Sequence, residues 1–196
     1  MRKIVHVLLI ALVTMAGLAT AGLLYVRSTG LVARSEPGAL ETQIARRVRS
    51  LAIPREASER RDPVPAAPQS LADGRAHDAD HCAVCHAPDG SGETEMGRGM
   101  WPKAPDMRLS ATQEMSDGEL FWIIENGIRF TGMPGWGTGT PDGEEASWHL
   151  VHFIRHLPDV SQAELEEMDT LIPRSEAEIR QEIEEERFLQ GVDLAP

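Results

Sequence analysis

The chain holds two cysteines, and they sit three positions apart with a histidine directly after the second: His81-Cys82-Ala83-Val84-Cys85-His86. Thiols at this spacing bind zinc, form a redox disulfide, or attach a cofactor covalently. A structural zinc site needs four ligands; His77, His81, Cys82 and Cys85 make a conceivable set, but one that leaves His86 without a purpose. A thioredoxin-like pair belongs to a βαβ context, and no strand pattern surrounds residues 82–85.

Cys-x-x-Cys-His is the attachment motif of c-type haem. The thiols of Cys82 and Cys85 are spaced to reach two vinyl groups of one porphyrin, which holds His86 beneath the iron as proximal ligand. One motif implies one haem c, bound through two thioethers. A second axial ligand then has to come from elsewhere. The stretch GMPGWG, residues 132–137, offers Met133 in a Gly/Pro loop 47 residues beyond His86. A thioether favours ferrous iron, so His/Met ligation raises the reduction potential. Met96, Met100, Met107 and Met115 are the rivals, and packing is the ordinary use of a methionine. Arg98, Lys103, Trp101 and Trp136 are candidate neighbours of the haem propionates, by charge or by indole N–H donation.

The net charge of −12 and pI near 5.0 argue against a nucleic-acid partner, which clustered Lys and Arg would have to hold. They suit an acidic surface that meets a basic redox protein. Residues 4–26, IVHVLLIALVTMAGLATAGLLYV, follow the short flank 1–3 and are nearly all apolar. At about 1.5 Å per residue they are long enough for a hydrocarbon core of roughly 30 Å. Ala19-Thr20-Ala21 offers a signal-peptidase site as the competing reading, but the apolar run continues past it to Val26. The expectation is a retained anchor in the cytoplasmic membrane, with everything after it in the periplasm or outside the cell.

Residues 27–69 are expected to comprise a juxtamembrane helix and a linker. Ser35 is a candidate cap, Pro37 suits a first turn, and Leu40, Ile44, Val48 and Leu51 recur at helical spacing beside Arg46, Arg47 and Arg49. That helix either packs on the exported domain, the preferred reading, or lies on anionic headgroups. Residues 54–68, PREASERRDPVPAAP, read as a semi-rigid linker that lets the domain swing. A domain over 70–158 follows: helix from Leu71 to Cys82, Gly- and Pro-rich loop from Ala87 to Leu109, a capping box at Ser116/Glu119 opening a helix that ends at Asn126-Gly127, and a last helix over 142–157 with Trp148, Val151, Ile154 and Leu157 inward. His149, His152 and His156 share one side of that helix and read as a solvated stripe, with a second metal site as the alternative. The tail, 159–196, carries capping boxes at Ser161/Glu164 and Ser175/Glu178 and reads as acidic, solvated helices.

Gly74, CAVCH at 82–86, ELFWIIENGIRFTGMPGWG at 119–137 and WHLVHFIRHLP at 148–158 together resemble the class I mono-haem cytochrome c domain, above all bacterial forms that stand on a membrane anchor or serve terminal oxidases and dehydrogenases. The resemblance implies an all-α fold around one covalently bound haem, with Cys82 and Cys85 as thioethers, His86 proximal and Met133 distal. It also implies that the first and last helices of the domain cross at Gly74, where Phe153 approaches. The anchor, the linker and the tail lie outside it. The function expected is one-electron transfer between redox proteins, with no small-molecule substrate and no catalysis. A peroxidase or gas sensor with displaceable Met133, or a zinc-binding CxxC module, is the alternative.

Overall fold

The structure is a computed structural model that describes residues 2–174 and 176–190, and of Glu178 only the backbone. Among the described residues it is all-helical. It divides into two units, Met1–Glu36 and the chain from Pro37 onward. The first unit is essentially one helix, α1 (Arg2–Thr29), which is long and apolar enough to cross a membrane.

The second unit begins with α2 (Ala39–Ala52) and the short α3 (Arg55–Ser58). Gly38, not Ser35, stands at the cap of α2. Then come α4 (Pro68–His77), one wide π turn over Asp78–Cys82, and α5 (Ala83–His86). After these follow α6 (Glu95–Gly99), α7 (Ser110–Gln113), α8 (Asp117–Asn126), α9 (Pro141–His156), α10 (Gln162–Leu171) and α11 (Glu176–Leu189).

The centre is the crossing of α4 on α9. A Cβ on Gly74 would lie 2.0 Å from the carbonyl oxygen of His149 and 3.2 Å from Cβ of Phe153, so only glycine lets the backbones meet this closely. Trp148, Val151, Ile154 and Leu157 are buried as their periodicity demands, and Leu150 and Phe153 join them. The third wall is α8. Both parts of its capping box form, with Ser116 and Glu119 bonding each other's backbone N–H. Gly127 stops the helix at φ 67°. Its Phe121 stacks on Trp148 with centroids 4.3 Å apart.

The segment 54–68 is not a free linker; it straps the domain. Val64 packs on the core, and the Ser116 hydroxyl donates to the Ser58 carbonyl at 2.9 Å. The Arg60 guanidinium lies 4.2 Å from the Phe121 ring centroid and pairs with Glu144 at 2.6 Å. Asp62 meets His152 Nε2 at 2.9 Å, a close contact that falls outside hydrogen-bonding geometry. Proline and arginine spread over 15 residues look like a spacer; the structure uses the arginine as a staple over two stacked rings.

The tail also departs from the solvated reading, at α10. Met168 is fully buried, with Leu165 and Ile172 beside it against the core. The Ser161/Glu164 capping box forms, and Glu164 reaches Arg75 of α4 at 3.1 Å and His156 at 2.9 Å, while Glu167 takes Arg75 at 2.5 Å. Burial pushes the Glu164 carboxyl up, but bonds from Ser161 and His156 outweigh it and hold the pKa at about 2. The cap expected at Ser175/Glu178 lies outside the described residues. The histidines of α9 are not one solvated stripe: His152 faces Asp62, His156 faces Glu164, and His149 lies 4.0 Å from Glu145.

Candidate haem-binding site

The wide turn over Asp78–Cys82 delivers Cys82, half-buried, beside the core, and α5 carries Cys85 and His86 one turn further. The two thiols are free of each other. Burial, then Asp78 and Cys85, pushes the Cys82 thiol far up; burial raises Cys85 as well. Neither is a ready thiolate, the reverse of what a redox dithiol wants. Ala87, in the left-handed region at φ 62°, then turns the chain out of α5. The loop that follows folds back on the motif. Gly92 N–H donates to the His86 carbonyl at 2.7 Å, and the Thr94 hydroxyl to the Cys85 carbonyl at 3.2 Å. A Cβ on Gly97 would come within 2.3 Å of that same Cys85 oxygen.

His86 is held in place by this loop. Burial lowers its pKa, with the Pro105 carbonyl partly offsetting the effect, so the imidazole is neutral and keeps a lone pair. Its Nδ1 is buried without a hydrogen-bond partner. Neutral imidazole and two protonated thiols are the donor set that a covalently attached iron porphyrin takes, so the residues present fit the group.

Met133 sits half-buried in a loop fastened to the end of α8. Ile128 N–H donates to the Met133 carbonyl at 3.1 Å, Met133 N–H to the Thr131 hydroxyl at 3.0 Å, Trp136 N–H to the Ile124 carbonyl at 2.9 Å and Gly137 N–H to the Glu125 carbonyl at 3.1 Å. The loop returns so tightly that a Cβ on Gly127 would stand 2.6 Å from Gly135 N. Trp136 brings it to the motif: its ring lies edge-on to His81, centroids 5.1 Å apart, and His81 in turn lies edge-on to His77 at 5.0 Å. These two histidines face rings, His81 Nδ1 lies 3.0 Å from Asp80, and among the described residues no group of three metal-ligating side chains converges.

The structure also sorts the rival methionines. Met107 is buried in the core and Met115 packs against it, while Met96 lies exposed on α6. Met100 is different: its sulfur lies over Gly132, where a Cβ would be 2.1 Å away, so it neighbours the Met133 loop. Arg98 pairs with Glu93 at 3.0 Å. The residue that sequence reasoning missed is Asp78. It is buried in the turn before the motif, neither carboxylate oxygen has a partner, and burial raises its pKa to about 7. An acidic residue on a helix reads as surface, and nothing in the local pattern warns that the wide turn swings it inward.

Two thiols and a neutral imidazole, with a fastened methionine loop joined to them through Trp136, are the features of a c-type cytochrome, and this part of the chain is a c-type cytochrome domain that binds haem c and has an electron-transfer role. Residues 69–154 match the family model described as "Cytochrome C oxidase, cbb3-type, subunit III". No curated protein matches the chain.

Proposed function

We propose that the domain holds a single haem, joined to Cys82 and Cys85 by thioethers, with His86 and Met133 on the two faces of the iron. The haem iron supplies a one-electron couple. The protein keeps both axial positions filled, shields the ring, and presents an edge to partner proteins. It acts as a carrier rather than an enzyme. The chain is fixed by α1 to the outer face of the cytoplasmic membrane, where it works alone or as a subunit of a respiratory complex, and its acidic surface steers a basic redox partner.

The observation that carries this reading is His86: a half-buried, neutral ring whose buried Nδ1 has no partner, directly after two free thiols. Met133 is preferred to Met100 because its loop is fastened to α8 by backbone hydrogen bonds, which removes much of the entropic cost of presenting a ligand. The test is spectroscopic, on protein exported with haem-maturation machinery. The wild type should keep its colour on a denaturing gel, and its ferrous spectrum should not change with carbon monoxide. Met133→Ala should bind carbon monoxide promptly and show a lowered potential, whereas Met100→Ala should do neither. A colourless chain refutes the attachment, and a prompt carbon monoxide shift in the wild type refutes the closed sixth position.

A further inference from the structure

The helix α2 is mounted the wrong way out for a soluble protein. Its half-buried residues are Thr42 and Arg49, and the Arg49 guanidinium reaches back to donate to the Ala111 carbonyl at 3.3 Å. At about 100° per residue, Leu40, Ile44, Val48 and Leu51 form a stripe whose centre lies roughly 150° around the helix from Thr42 and Arg49. All four are exposed, Leu40 at 71% and Leu51 at 85%. The helix is expected to pack on the domain or to lie on headgroups: its polar face meets the protein, and its apolar face points away.

We infer that the apolar face of α2 lies in the surface of the membrane, among anionic phospholipid headgroups, and forms a second contact beside α1. This rests on the reading that α1 spans the bilayer. Two further features select lipid as the occupant. The end of α1 at Thr29 and the start of α2 at Ala39 leave nine residues between, a reach of at most about 30 Å, so α2 cannot leave the vicinity of the bilayer. The charge is also right: residues 27–52 carry five arginines against two glutamates, in a chain whose net charge is −12. Arg46 and Arg47 are both exposed, and Arg47 borders the stripe. An apolar stripe with an arginine at its margin and a net positive charge on the segment is the composition of a helix that lies in the interface.

The test uses the full-length, haem-loaded chain in phosphatidylcholine vesicles with and without phosphatidylglycerol. Val48 is replaced by the photoreactive benzoylphenylalanine, and adducts are identified by mass after illumination. Lipid adducts enriched in phosphatidylglycerol are expected, and Arg46→Glu with Arg47→Glu should reduce the phosphatidylglycerol adduct by about fivefold or more. Adducts to a second copy of the chain, adducts within the chain, or none at all would overturn the inference. Alkaline carbonate extraction of the same sample separates the two readings. A chain washed off the vesicles refutes the anchor, while a chain that resists extraction but gives no lipid adduct refutes only the role of α2.

Discussion

Gly74→Ala adds one methyl group at the point where α4 and α9 touch. The new carbon would sit 2.0 Å from the His149 carbonyl oxygen, 2.6 Å from its carbon and 3.2 Å from Phe153 Cβ. Carbon–oxygen contacts are normally no closer than about 3.3 Å, and the nearest obstacle is backbone, which no rotamer change can move. The helices therefore have to part by about 1 Å, and a gap of that size forfeits a quarter to a half of each dispersion contact along the seam. The buried side chains of that seam include Trp148, Leu150 and Phe153. Overpacking of this kind sits at the upper end of the usual range, about 3 kcal/mol, and alanine's better helix propensity returns about 1 kcal/mol. The net expectation is a loss of at least ~2 kcal/mol, or a fall in Tm on the order of 6–10 °C. The assay is urea unfolding of the haem-loaded protein, followed by Soret absorbance and far-ultraviolet circular dichroism. Gly99→Ala is the control, since nothing lies within 4 Å of a Cβ there. If Gly74→Ala unfolded within about 0.5 kcal/mol of the wild type, close to the scatter of surface substitutions, the crossing would not be the constraint argued here.

Two further outcomes follow from side chains hidden in the fold. Asp78 has a folded pKa of about 7 against 3.8 for the free group, so the unfolded chain releases its proton first as pH rises. Stability is consequently lost between about pH 4 and about pH 7 and stays low above that, by up to ~4 kcal/mol. Asp78→Asn should remove most of this decline in urea midpoints, and parallel pH profiles for variant and wild type would refute it. Met168→Ala empties a fully buried site between α10 and the core and should destabilise by ~2–4 kcal/mol, with α10 becoming the first site of limited proteolysis. Unchanged stability together with unchanged cleavage would show that the tail contributes nothing to the domain.

Local rules made the helices of the domain readable. The boxes at Ser116/Glu119 and Ser161/Glu164 form as their spacing requires, and Trp148, Val151, Ile154 and Leu157 face inward at helical period. Gly74 opposite Phe153 came through the family resemblance, because no periodicity names the partner of a glycine. What local pattern could not give were contacts made across long sequence separations. Arg60 looks like linker charge until Phe121 and Trp148 are stacked beneath it, and His152 looks solvated until Asp62 arrives from the other end of the domain sequence. The same limit hid Asp78. Its burial follows from one turn being wider than its neighbours, a choice of backbone geometry that side-chain spacing does not encode.

Because residues 54–68 are strapped to the domain, the slack between α1 and the haem-binding unit shrinks to the nine residues after Thr29. On the proposal that α1 spans the bilayer, a cofactor on so short a leash would explore a small volume near its surface, which would raise its effective concentration toward neighbours embedded alongside. A carrier held this way would be poorly suited to shuttling toward distant soluble acceptors and would exchange electrons with partners that come within that radius.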